Sequence, residues 1–120
     1  MIRVGAFFLL WASSTVAYAD GPVRSEAQLL RSYAAAQCIA RAYPNTTTAS
    51  DAKAAAAGYL EFGNVDADAY SEAVKLAEKA LQHNYRGKKG EPLHVMKCID
   101  LMFSPALDTL VERYAPTAKK

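Results

Sequence analysis

Cys38 and Cys98 are the two cysteines of the chain, and His94 stands one helical turn before the second of them in HVMKCIDLM. A His and a Cys four apart on a helix can touch, and a neighbouring imidazole lowers a thiol's pKa and so generates the nucleophilic thiolate. Cys98 could therefore be the nucleophile of a thiol-dependent enzyme or carrier, a metal ligand, or half of a crosslink. A structural zinc site wants about four ligands at short paired spacings. This chain offers two cysteines and two histidines, His83 and His94, spread between positions 38 and 98, and both histidines read better as surface or helix-end residues. Asp100, Asp108 and Glu112 could be cast as a general acid and base, but such pairs need a cleft and a raised pKa. Lys97 with Asp100, and Asp108 with Glu112, read instead as solvated helix faces. The sequence holds no Ser-His-Asp signature, Gly-rich phosphate loop or paired-Cys haem motif, so no cofactor is expected and binding is favoured over catalysis.

The N-terminus bears on the fate of the thiols. MIRVGAFFLLWASSTVAYAD has a positive start at Arg3, an apolar run from Val4 to Ala12, and Ala17-Tyr18-Ala19, the small-x-small pattern cut by signal peptidase. Cleavage is expected after Ala19, giving a signal peptide over 1–19 and a mature domain over 20–120. The apolar run is well short of the ~20 residues needed to span a bilayer core, so no membrane segment is expected after processing. Two cysteines in an oxidising compartment, one in each half of the chain, are most simply a disulfide. Bridging Cys38 to Cys98 would close about 60 residues, worth roughly 4 kcal/mol in the chain-entropy model.

Loss of 1–19 removes Arg3 and no acid, lowering the formal charge from +2 to +1. A nucleic-acid surface would need segregated positive charge, and this chain concentrates it only around RGKKG. No nucleic-acid partner is expected. The mature length suits one domain with a viable but marginal core.

The elements that must position these groups read as helices. Ser25 with Gln28 makes a capping box, and the segment after it runs to Tyr43 without Gly or Pro. With Leu29, Leu30, Tyr33, Ala36, Ala40 and Tyr43 it offers little polar surface, which predicts a central helix, and Ala34 to Ala36 would let a neighbour approach closely. PNTTTAS reads as a turn, with Ser50 starting a second helix that Gly63 ends. Gly58 within it costs about 1 kcal/mol relative to Ala, which predicts close packing there. Asp66 caps a third helix with an apolar stripe of Tyr70, Val74, Ala77 and Leu81, while Glu72, Lys75, Glu78, Lys79 and Gln82 face water. A fourth covers Leu93 to Phe103. A fifth follows, with Ser104 as cap, Pro105 at its first position, and Leu107, Leu110, Val111 and Tyr114 on one face. The fold expected is all-α, a single-domain bundle of five helices.

Between the third and fourth helices, NYRGKKGEP sets two glycines and a proline among three cations and one acid. It is either a plain connection with solubilising charge or a protruding finger that enters a partner's groove. The residues alone leave both open.

Three segments, LLRSYAAAQCIARAY, AGYLEFG and MKCIDLMFSPALDTLV, resemble those of the type VI secretion system amidase immunity proteins, in the group that neutralises the fourth class of amidase effector. YLEFG and MKCIDL are the most specific pieces, and the resemblance runs through nearly the whole mature chain. It implies an exported helical protein, commonly a homodimer, that binds a peptidoglycan amidase similar to the NlpC/P60 group and blocks its cysteine–histidine groove. It implies the Cys38–Cys98 crosslink independently of the compartment. It also implies an inhibitory loop, mapped here to Arg86, Gly87, Lys88, Lys89, Gly90 and Glu91. The sequence does not show which helix makes the dimer contact, and exposed Tyr and Leu on the third or fifth helix are the candidates.

Overall fold

The computed structural model describes residues 23–116. The leader expected over 1–19 and the cleavage expected after Ala19 lie outside the described residues. Five helices follow in chain order: α1 (Glu26–Ala42), α2 (Thr47–Phe62), α3 (Ala67–Leu81), α4 (His94–Met102) and α5 (Pro105–Tyr114). Among the described residues no helix is long and apolar enough to cross a membrane.

The expected capping box opens α1. Ser25 Oγ accepts from the Gln28 N–H at 3.1 Å, and Gln28 Oε1 accepts from the Ser25 N–H at 2.9 Å. The helix packs against all four others, so its buried residues are not confined to one stripe: Leu29, Leu30, Tyr33, Ala34, Ala36, Cys38 and Ala40 all lie inside. Arg31 ties it to the far end of the bundle, donating to the Met102 carbonyl at 3.0 Å and pairing with Asp108 at 2.7 Å. Asp108 thus pairs across the bundle while remaining on the exposed face that it shares with Glu112.

The second helix begins three residues before the expected Ser50 start. Thr46 is its N-cap, with Oγ1 accepting from the Ala49 N–H at 3.1 Å. The turn is compressed into Tyr43–Asn45, where Asn45 takes φ 61°, a left-handed conformation that Asn tolerates better than most residues. Gly63 ends the helix as expected, its N–H reaching the Tyr59 and Leu60 carbonyls. The close approach predicted at Gly58 is found at Gly63 instead. A Cβ on Gly58 would meet nothing within 4 Å, whereas one on Gly63 would stand 1.9 Å from Tyr70 Oη. Tyr70 is itself held by an edge-to-face contact with Tyr33, ring centroids 5.0 Å apart.

Between α1, α3 and the helices beyond them the core is built largely from alanine. Ala34, Ala36, Ala69, Ala73, Ala77 and Ala80 are all buried, and Leu30, Leu107 and Cys38 are the largest side chains sealed completely. Helices that meet through Cβ atoms approach closely, yet each alanine removes little apolar surface from water. The covalent link stands in this thin core. Cys38 and Cys98 form a disulfide with Cα atoms 5.6 Å apart, joining the last turns of α1 to the middle of α4.

Candidate functional site

The 82–93 connection carries the six loop residues singled out from the sequence, and its tip is a built structure. The Gly87 N–H donates to the Glu91 carbonyl at 2.9 Å, and the Gly90 N–H donates to the Gly87 carbonyl at 3.0 Å. Gly90 takes φ +85°, the left-handed position that closes a three-residue hairpin loop and that glycine adopts without a Cβ clash. Glu91 folds its carboxylate over the tip and accepts from the Lys89 N–H at 3.0 Å. A Cβ on Gly87 would fall 2.1 Å from that carboxylate, so the small residue there leaves room for the clamp. Arg86, Lys88 and Lys89 are exposed around it.

From this tip the chain enters α4 through Leu93, whose φ of 52° is left-handed and strained for a bulky side chain. The turn sets the face that α4 presents, and that face inverts the usual arrangement. Lys97, Cys98 and Leu101 point inward, while Val95, Met96 and Ile99 are exposed, followed by Phe103 at 78%. A groove of about 610 Å³ runs from Glu91, Pro92 and Leu93 along Val95, Met96 and Ile99, with Tyr43 on its other wall. Cationic tip and apolar groove are therefore adjoining parts of one surface.

Lys97 departs most from expectation. Read as part of a solvated face with Asp100, it is 3% exposed. The connection explains the burial, because Tyr85 covers it: the ammonium lies 5.5 Å from the Tyr85 ring centroid. The Tyr85 hydroxyl donates to Asp100 at 3.1 Å, and burial together with that carboxylate raises the phenol's pKa.

The thiolate reading is removed by the bond itself. Both cysteines are in the disulfide and no free cysteine remains, so His94 has no thiol to activate. Its ring meets Tyr43 edge-on with centroids 5.6 Å apart, and its Nδ1 is buried without a hydrogen-bond partner among the described residues. His83 stacks on Tyr85 with centroids 6.0 Å apart. Among the described residues no three His, Cys, Asp or Glu side chains group to hold a metal.

The sequence reading does not anticipate the outward face of α4. The candidate Tyr and Leu of the third and fifth helices are not exposed: the large exposed apolar residues among the described ones are Val23, Leu60, Phe62, Val95, Met96, Ile99 and Phe103. Turning Cys98 inward at about 100° per residue sends Met96 and Ile99 outward, but Val95 follows only once Lys97 and Leu101 share the inner face with Cys98.

A family model described as Tai4, type VI secretion system amidase immunity protein, matches residues 28–111. Among solved structures, a chain of the effector–immunity system Tae4 / Tai4 from Salmonella typhimurium, in its selenomethionine variant, is 32% identical with a TM-score of 0.70. The match covers 75% of this chain and 89% of that one. No curated protein matches this sequence.

Proposed function

Because the chain belongs to the Tai4 family of type VI secretion system amidase immunity proteins, we propose that it acts by binding a Tae4-type peptidoglycan amidase and filling its catalytic groove. The chain is an immunity protein and not an enzyme. Blocking would use the hairpin tip, Arg86 to Glu91, as the inserted element and the apolar face of α4 as the flat contact behind it. The observation that carries this reading is the prebuilt tip: two backbone hydrogen bonds and the Glu91 clamp hold it before any partner arrives. A loop already in one conformation loses little entropy on insertion, so more of its contact energy appears as affinity. Occlusion needs no reaction, only a surface of ordinary size, about 1,600 Å² in total.

The finer setting belongs to the same proposal. Cleavage after Ala19 would release residues 20–120 into the periplasm, where the target amidase acts on peptidoglycan and where the disulfide is favoured. The protein would work as a homodimer, which leaves two tips available. The target, resembling NlpC/P60 enzymes, would supply the reactive cysteine and histidine.

The test is titration of the mature chain into the cognate amidase with peptidoglycan cleavage as readout. Stoichiometric loss of cleavage is expected, and undiminished cleavage at molar excess refutes inhibition. Deleting Lys88 to Gly90 should weaken inhibition at unchanged helicity, because the tip contributes no helical residue and α4 remains tied to α1 by the disulfide. If the deletion inhibits as well as the parent, occlusion by this tip is wrong while the family membership stands.

A further inference from the structure

The bonds that build the hairpin tip are internal to it, joining Gly87, Lys89, Gly90 and Glu91 to one another. They set its shape and leave its direction open. The chain leaves α3 with the His83 N–H on the Ala80 carbonyl at 3.3 Å, and it enters α4 with the Leu93 carbonyl accepting from the Lys97 N–H at 3.0 Å. Between those points, among the described residues, one hydrogen bond crosses from the connection to a helix: the Tyr85 hydroxyl donates to Asp100 at 3.1 Å.

Tyr85 lies across one turn of α4. Its hydroxyl reaches Asp100, while its ring centroid stands 5.5 Å from the ammonium of Lys97, three residues earlier and so a neighbour on the helix surface. His83 stacks on the ring with the planes 22° apart. The other leg of the hairpin is fixed by backbone, in the left-handed turn at Leu93. Asp100 does nothing for the helix that carries it. It stands in the last turn of α4, which holds no basic residue, and a carboxylate there faces the negative end of the helix dipole. The bond from Tyr85 gives the acid its role. Direction matters at the tip because Lys88 lies three residues beyond Tyr85, about 10 Å of extended chain, so a swing of about 20° at the anchor would carry it roughly 3.5 Å. That is several times the spread of a hydrogen-bond length.

We propose that Tyr85 is the positioning residue of the inhibitory hairpin, its hydroxyl on Asp100 holding the Arg86–Glu91 tip in one direction relative to α4 so that it meets the amidase groove already aimed. The inference rests on the reading of the tip as the inserted element and adds what aims it. A tip released from α4 keeps its internal shape but divides its time among directions, and the apparent Kd rises as the competent fraction falls.

Tyr85→Phe and Asp100→Ala remove the bond from either side, the first leaving an aromatic ring over Lys97. In each, backbone amide NMR relaxation of the free mature protein should show lower order parameters at Lys88, Lys89 and Gly90, with those of α4 unchanged. Both variants should melt within about 4 °C of the parent, since the bond ties down a connection and not the core. Inhibition of the amidase should weaken about two- to five-fold in each, the population equivalent of one net hydrogen bond, and the double variant should be no weaker than either single one. Asp100→Asn keeps an acceptor oxygen and should retain most of the parent's affinity. With Lys88 to Gly90 deleted, Tyr85→Phe should weaken inhibition no further. Unchanged order parameters in both variants overturn the proposal, and so does parental inhibition by both while the tip deletion weakens it, an outcome that leaves occlusion standing. If the tip deletion itself inhibits as well as the parent, occlusion is the reading that fails, and the order parameters still decide whether Tyr85 holds the tip.

Discussion

Replacing both cysteines by alanine removes the link between α1 and α4, and the structure allows its cost to be worked out. The bridged positions are 60 residues apart. For a loop of that size the chain-entropy relation gives an unfolded-state restriction of about 14 cal/mol/K, or about 4 kcal/mol at 25 °C. A domain of this size is typically stable by about 5 to 14 kcal/mol, so the link supplies a large share of the margin. At ~4 to 8 °C per kcal/mol for a small domain, the Cys38→Ala/Cys98→Ala protein should melt about 15 to 30 °C below the parent. Both sulfurs are buried, so their removal adds a packing loss to the entropic one. Thermal unfolding of the oxidised parent, the reduced parent and the double variant separates the two, since the reduced parent keeps both sulfurs in place. The inhibition titration, run well below the transition, should show the double variant still active, because α4 retains its contacts with α1 and α3. A melting temperature within about 5 °C of the parent would refute the reasoning, since it would mean the denatured chain is already restricted without the bond.

The remaining predictions concern packing and capping. Gly63→Ala should destabilise by about 1 to 3 kcal/mol through the clash with Tyr70 Oη. In a Tyr70→Phe background most of that penalty should vanish, and an equal penalty in both backgrounds, measured by urea unfolding, would place the strain elsewhere. Thr46→Ala should cost about 1 kcal/mol as loss of an N-cap, whereas Ser50→Ala should fall within about 0.5 kcal/mol of the parent. The reverse order would put the start of the second helix at Ser50.

What could be read from the sequence was local. Ser25 with Gln28, Ser104 with Pro105, and the uninterrupted segment to Tyr43 are caps and runs whose meaning is settled within a few residues, and the structure has them where they were expected. The start of α2 was harder because Thr46, Thr47, Thr48 and Ser50 are all competent caps, and the choice follows from Asn45 turning left-handed. Lys97 was misread for a non-local reason. A lysine three residues before an aspartate looks solvated until a distant segment folds over it, and Tyr85 does so from the connection. Gly58 lies within the second helix and Gly63 ends it, and which of the two meets a close neighbour is decided by the position of Tyr70. The glycine spacing of RGKKGE marks a tight turn, while the outward face of Val95, Met96 and Ile99 depends on Lys97, Cys98 and Leu101 together taking the inner side of α4.

The alanine-built core bears on how such a protein can change over generations. An alanine has no rotamer to adjust, so the inner faces of α1 and α3 cannot absorb an added methylene by repacking as a leucine-rich interior can. A mutational scan would therefore divide the molecule sharply, with a rigid frame at Ala34, Ala69, Ala73 and Ala77 beside freely variable positions at Lys88 and Lys89, which touch no core residue. On the proposed occlusion by the tip, specificity for a new toxin could then be explored there without renegotiating the fold.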